Sequence, residues 1–528
     1  MTTTLSGTWA LWRLALRRDR VRLPAWVLGI TLMVVGTASS FEGLFPTAEQ
    51  RADFASGVVR NTGFRALYGP LFDSSVGGLT AWRIGAAGAV YAALMSLLLM
   101  VRHTRLEEET GRSELLGAAV VGRHAGLAAA SIHVGIANLG VAVLVTLGFV
   151  ATGLPVAGSL AFGLALGLCG CAFAAIAAVT AQLSTTGRAA GGFAGALLGG
   201  SFVVRIIGDA GDGALSWLSP IGWAVKTQMF AGERWWVLGL PIALTVVLVP
   251  IAFVLVSRRD HGGGLLADKP GPSRASRRLR GPLGLAWRLQ SGVLAGWAIG
   301  FVGAGAAVGA IAKDVGDFGE QIGEILRNLG NSNILIDAFF AGIMSLFALA
   351  SGGYLIQAVL RIRAEENAMR AEPILAGPVS RWSWAWPHLL VAAGGAALLM
   401  AGAGLAAGLS HGLRIGDVGG EVPRLLGAAL LQLPAAWTLG GLTFALTGIL
   451  PRFAAIAWAL FAAFVLIGYV GELLNLPDIA LDVSPFRHTP QFPVAAVSLP
   501  PLVVLGAIAL ALGSLGYIGL RRRDILSG

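Results

Sequence analysis

Residues 102–123 read RHTRLEEETGRSELLGAAVVGR, a polar island set between two long apolar runs. The island returns at residues 361–381 as RIRAEENAMRAEPILAGPVSR. A shift of 258 positions superposes Arg105 on Arg363, Glu107 on Glu365, Glu108 on Glu366, Arg112 on Arg370, Glu114 on Glu372 and Arg123 on Arg381. In a chain only 12% charged, that many coincident charges mark an internal repeat rather than chance.

Working outward from the two islands, the remainder is apolar. The mean hydropathy is +0.75, and 55% of the residues are hydrophobic with 75 glycines among 528. This composition belongs to a polytopic membrane protein and not to a set of soluble domains. A span needs about 20 apolar residues, and twelve runs qualify. In the first half they lie near 24–40, 84–101, 126–150, 155–181, 189–207 and 235–256; in the second, near 285–312, 334–359, 384–409, 425–450, 453–475 and 494–520. The predicted fold is therefore an all-α polytopic membrane protein of about twelve transmembrane helices, arranged as two tandem six-helix halves in parallel orientation. Residues 1–256 form the first half with an N-terminal interfacial helix, 257–284 an Arg/Gly/Pro-rich linker, and 285–528 the second half.

The net charge of +10 comes from short segments between apolar runs, which does not point to nucleic acid. Most of the 38 basic residues fall on one face if the N-terminus is cytoplasmic. The positive-inside rule then places both termini and both islands in the cytoplasm, with the plasma membrane as the expected location. Two islands on one face require an even number of spans between them, as six per half provides. Further echoes support the repeat. Arg258-Arg259-Asp260 closes the sixth run as Arg522-Arg523-Asp524 closes the twelfth, and Trp12-Arg13 is echoed by Trp287-Arg288. Residues 7–22 mix Trp and Leu with five arginines, the pattern of a helix lying on the inner leaflet, and 280–297 open the second half in a similar way. The outer segments, 41–83 and 313–333, are too small for receptor domains and are expected to cap the outer face with short helices.

Catalytic motifs are missing. None of the three lysines (Lys226, Lys269, Lys313) follows a glycine, so the chain has no P-loop, and there is no H-E-x-x-H. Cys169 and Cys171, in an apolar run without His or acidic neighbours, read as small packing residues. His133, beside Asn138 on one helix, reads as a packing histidine, although an ionisable group inside a span always raises the question of function. Gly195 and Gly199 have the spacing of a close helix contact. The acids Asp209, Asp314, Asp337, Glu421 and Glu472 all fall near the outer ends of runs rather than at the midplane where an ion-coupled carrier would need them.

The islands carry the remaining signal. Glu108 and Arg112, and likewise Glu366 and Arg370, are spaced i,i+4, which would stabilise a water-exposed helix by a few tenths of a kcal/mol per pair. A solvated loop helix explains the spacing; the duplication of the acid-acid-then-Arg-x-acid order favours docking to a partner. At these residues, and at the C-terminal LGYIGLRRRD, the chain resembles the membrane subunit of type-two ATP-binding-cassette exporters, specifically the double-length polyketide antibiotic exporters of the tetronasin-resistance type. The second island departs from the first where Gly111 becomes Met369 and Leu115 becomes Pro373. The resemblance implies a separate ATPase subunit, in two copies, holding the ATP and magnesium that this chain has no motif to bind. It also implies export of a hydrophobic or amphipathic compound, with antibiotic or multidrug efflux as the setting. Glu107, Glu108, Arg112, Glu114, Glu365, Glu366, Arg370 and Glu372 would then couple ATPase to permease, and the halves would rock between inward- and outward-open states. The alternatives are an ion-coupled secondary drug carrier and a lipid-modifying membrane enzyme; for the latter no acid, base or metal cluster stands out.

Overall fold

The computed structural model describes residues 4–60, 62–111, 121–260, 262–266, 273–274, 279, 281–321, 332–470 and 477–523. Every regular element among them is helical. The chain divides into two units, Met1–Gly271 and Pro272–Gly528, with the boundary inside the polar linker.

In the first unit, α1 (Thr8–Arg18) is the interfacial helix, half covered and half exposed, with Trp9 and Leu14 on its open side. It ends at Asp19, whose backbone leaves the helical region, and α2 (Arg22–Leu44) starts after the corner. Two short helices, Ala48–Arg60 and Thr62–Tyr68, follow. They are held by a small core of Phe41, Val58, Leu79 and Trp82 with aromatic rings around it, and are the short helices expected over 41–83. Then come α3 (Val76–His103), α4 (Ala125–Ala151), α5 (Val156–Leu183), α6 (Gly187–Ala210) and α7 (Gly239–Arg258). Ser75 caps α3 and Thr186 caps α6 with side-chain oxygens that accept from the first-turn amides, satisfying donors a helix start leaves orphaned.

Helices α3 and α5 form the buried middle of this unit, while α6 and α7 present most of their surface outward. The closeness of α4 and α5 comes from small residues. A Cβ at Gly163 would overlap the Ala142 carbonyl, and at Gly167 and Gly170 it would overlap the backbone and side chain of Asn138. Without a hydrophobic drive between helices in lipid, such backbone proximity and interhelical hydrogen bonds do the associating. Asn138 Nδ2 accordingly donates to Ser96 Oγ on α3 at 2.8 Å. Gly195 and Gly199, by contrast, face open space, so that pair does not pack helices here. Cys169 is buried and Cys171 half-buried, both thiols free, as packing residues should be.

The second unit holds α8 (Pro282–Gln321), α9 (Ser332–Asn367), α10 (Arg381–Ile415), α11 (Val418–Leu430), α12 (Leu433–Ile449), α13 (Ile456–Val470) and α14 (Leu499–Arg522). α11 and α12 together make one span, Val418–Ile449. Close approach again rests on glycine. Gly305 and Gly309 of α8 lie against carbonyls of Ala403 and Ala407 on α10, and Gly448 of α12 against Gly516 of α14.

Eleven described helices are long and apolar enough to cross a membrane. The remaining expected run, 453–475, is described as helix over Ile456–Val470, and residues 471–476 lie outside the described residues. A departure concerns the expected interfacial opening of the second half. Residues 282–321 run as one unbroken helix, whereas the first half has the corner at Asp19. The Trp-Arg alignment sets Leu294, a buried core residue, opposite Asp19, so the second half lacks the buried acid that pins the corner.

Candidate functional site

The first island begins where α3 breaks at Thr104, whose backbone (φ −116, ψ −87) turns the chain into a single helical turn, Arg105–Glu109. The turn points its charges inward. Arg105, with only 1% of its side chain exposed, donates to Glu108 Oε2 at 2.6 Å and to the Gly262 carbonyl at 3.0 Å. Glu108 is gripped from the other side by Arg259, just beyond α7, through both guanidinium Nη atoms; the Nη1–Oε2 distance is 2.8 Å. Arg259 Nε donates to Gln182 Oε1 at the end of α5, 2.7 Å away. Glu107 pairs with Arg18 of α1 at 2.7 Å, and this contact holds the Arg18 guanidinium above its usual value despite the opposing effect of burial. Glu109 accepts from the Gly187 amide at 2.8 Å, a carboxylate placed on the positive N-terminus of α6. At the far end of the island, Arg123 donates to the carbonyls of Val256 (3.2 Å) and Arg259 (2.6 Å), the orphan acceptors of the α7 terminus.

The second island repeats the grip. Arg363 donates to Glu366 Oε2 at 3.0 Å, and Arg523, just beyond α14, donates to Glu366 Oε1 at 2.5 Å. The Glu366 side chain is 1% exposed. Arg381 donates to the carbonyls of Leu520 (3.1 Å), Arg521 (3.2 Å) and Arg523. Glu365 is held by Arg361 at 2.6 Å and by Arg370 at 2.7 Å, and the latter contact keeps the Arg370 guanidinium above its usual value. Glu372 opens a short exposed helix, Glu372–Leu375.

Two expectations change. The i,i+4 pairing of Glu366 with Arg370 does not form: α9 stops at Asn367, Met369 takes a left-handed backbone (φ 57), and Arg370 swings back to Glu365. Glu107, Glu108, Glu365 and Glu366 are also not a solvated face; they are consumed at the base of each loop by arginines of the same unit. Arg112 and Glu114 lie outside the described residues. The part of the second loop that does face outward carries Met369, Arg370, Glu372 and Pro373.

Three partners escaped the sequence reading. Arg259 and Arg523 were visible only as an echo of R-R-D, with nothing to say that each reaches a glutamate more than a hundred residues upstream. Asp19 is the third, a lone acid among Arg17, Arg18, Arg20 and Arg22. It is fully buried and receives His103 Nε2 at 2.5 Å and His133 Nε2 at 3.3 Å, with Arg102 Nε 3.2 Å from its other oxygen. Burial pushes the Asp19 carboxyl up, but the His103 hydrogen bond with the charges of His103, Arg102 and His133 outweighs it and leaves the group below its usual value. His133 is thus a buried histidine whose Nε2 is satisfied by Asp19. The three side chains could converge on a metal ion, yet a 2.5 Å nitrogen–oxygen contact is a hydrogen-bond distance, closer than two ligands of one tetrahedral ion about 2.1 Å from each would stand. Arg102 already supplies the positive charge. The cluster fits a fastening of the α1–α2 corner to α3 and α4.

Between α1, α3, α4, α5 and α7 lies a cavity of about 520 Å³, with Leu11, Leu14 and Leu127 on its apolar wall and Arg18, Glu107 and Arg259 on its charged one. The acids expected near outer ends are neutralised where their side chains are described. Asp209 pairs with Arg205 (3.3 Å), and Arg424 holds both Asp337 (2.5 Å) and Glu421 (2.9 Å). The side chains of Asp314 and Glu472 lie outside the described residues.

Residues 279–521 match the family described as multidrug efflux system permease Rv1217c, C-terminal domain. Over 524 residues, covering 98% of this chain and 95% of the other, the sequence is 40% identical to the multidrug efflux system permease protein Rv1217c of Mycobacterium tuberculosis (strain ATCC 25618 / H37Rv). The apolar spans, the duplicated charged loops and this identity along nearly the whole chain converge: the protein belongs to the multidrug efflux system permeases, a family of multi-pass membrane transport components rather than enzymes.

Proposed function

We propose that the chain is the membrane subunit of an ATP-driven exporter of hydrophobic or amphipathic compounds, of the double-length polyketide-exporter type, working with two separate ATPase subunits that hold ATP and magnesium. Both loops and both termini face the cytoplasm, and each loop receives one ATPase. The observation that carries this reading is the duplicated, internally braced charged loop in an efflux permease that has no nucleotide-binding motif of its own. Glu107, Glu108, Glu365 and Glu366 brace the base of each loop, and the outward residues of the second loop, Arg370 and Glu372, meet the ATPase. The pairing of Asp209, Asp337 and Glu421 with arginines speaks against an ion-coupled carrier, because a paired carboxylate is not free to load a proton or sodium ion.

The test is purification of the tagged chain from its native membrane, followed by dye efflux in phosphatidylethanolamine/phosphatidylglycerol vesicles. A P-loop ATPase should co-elute, and efflux should require ATP and resist a protonophore. Efflux that runs without ATP and collapses with the protonophore would establish the ion-coupled carrier instead. Reversing the exposed charge of Glu372, Glu372→Arg, should reduce ATPase co-elution without lowering the yield of folded permease.

A further inference from the structure

In each unit the charged loop is attached to the same place twice. Its first end is tied by a glutamate to the arginine just past the last helix, Glu108 to Arg259 and Glu366 to Arg523. Its second end is tied by an arginine to the terminal carbonyls of that same helix, Arg123 to Val256 and Arg259, and Arg381 to Leu520, Arg521 and Arg523. One attachment would act as a pivot about which loop and helix could turn. Two attachments bracketing the loop on one helix end fix their mutual orientation.

The surroundings of the two grips differ. Arg259 also engages Gln182 and the Gly263 carbonyl, whereas Glu365 beside the second grip is held by Arg361 and Arg370 rather than by an interfacial helix. What the units share is the arginine three residues before the glutamate and the double attachment, the latter across sequence separations of 151 and 157 residues. The glutamate–arginine contacts are also shielded, with side-chain exposures of 14% and 6% for Glu108 and Arg259 and 1% and 12% for Glu366 and Arg523. Water does not readily replace one partner there, as it does in a surface pair.

We infer that Arg259 and Arg523 are positioning residues for transport: each makes the charged loop and the last helix of its unit move as one body, so that displacement of the loop is delivered to that helix without slack. This rests on the ATP-driven reading, in which a partner displaces the loop. A pair that merely stabilises the fold would leave relative motion of loop and helix unaffected by its removal, and that difference is measurable.

The experiment uses the full chain with its ATPase in the same vesicles, with Cys169 and Cys171 replaced by alanine and spin labels on Thr110→Cys and Ser257→Cys, or on Ala368→Cys and Arg521→Cys. Inter-label distances are measured without nucleotide and after trapping with ATP and vanadate. In the otherwise native chain each distance should stay within about 2 Å between the two states, the range of small packed shifts. With Arg259→Gln, or Glu108→Gln should that variant not accumulate, the first distance should change by about 5 Å, the scale of a one-turn slip. ATP hydrolysis should continue while dye efflux falls at least tenfold. A native distance that shifts by a helical turn, or a variant distance that stays constant on trapping, overturns the inference. Failure of the ATP-driven reading shows differently, as a native chain that retains no ATPase on purification.

Discussion

Glu108 and Arg370 mark two very different values for a carboxylate–guanidinium contact. Arg259, nearly buried against Glu108, cannot be removed without leaving that carboxylate desolvated and short of donors; Arg259→Ala should lower stability by about 3 kcal/mol. Arg370 has a good distance to Glu365, but 58% of its side chain is exposed, and Arg370→Ala should cost no more than about 1 kcal/mol. Thermal unfolding of the two variants in detergent micelles compares them directly, and equal losses would contradict the burial difference. Asp19 gives a pH signature. Its folded value lies below that of the unfolded chain, so the ionised carboxylate contributes stability in full above the unfolded value near 4 and loses it as pH falls through the lower folded value. Asp19→Asn should therefore lower the melting temperature at neutral pH and flatten the acid limb of its pH profile; an acid limb of unchanged steepness would remove Asp19 from that role. At this scale the sequence was legible where charge was repeated and opaque where it was paired. The islands announced themselves at Glu107, Glu108, Glu365 and Glu366. Nothing in the spacing shows that Glu108 meets Arg259, because a contact across 151 residues depends on how five helices pack.

Element lengths follow the hydropathy closely, because a buried backbone in lipid must satisfy its hydrogen bonds internally and does so as helix. The misses have local causes. α1 and α2 are separate because Asp19 is fastened at the corner by Arg102, His103 and His133, while α8 has no such acid and continues straight. Gly195 and Gly199 have the spacing of a helix contact yet face open space, while close packing occurs at Gly163 and Gly167, since spacing alone does not say which glycine faces a neighbour. The two sets make a matched prediction. Gly167→Leu forces a side chain onto the Asn138 carbonyl and should cost about 1–3 kcal/mol or separate α4 from α5. Gly195→Ala meets open space in a helix interior and should be neutral or stabilising by up to about 1 kcal/mol. Denaturation curves of both variants, read by tryptophan fluorescence, should show a loss for Gly167→Leu and none for Gly195→Ala.

For the molecule as a whole, the proposed function requires both loops on one side of the membrane. Thr110→Cys and Ala368→Cys should each react with a membrane-impermeant thiol reagent in inside-out vesicles and not in intact cells. Labelling of the two from opposite sides would mean an odd number of spans between them and would break the parallel arrangement. The double attachment also has a consequence in time. Glu108 is made 151 residues before the arginine that grips it, and Glu366 is made 157 residues before its own. At synthesis rates of about 5–20 residues per second, each loop waits about 8–30 s before its base can close. During that interval three spans or more must enter the bilayer while the glutamate has only the arginine three residues before it, Arg105 or Arg363, as a partner. Each half thus carries a built-in mark of completion: its charged loop can be finished only once its last helix has been inserted, and a ribosome that stops early leaves the loop open.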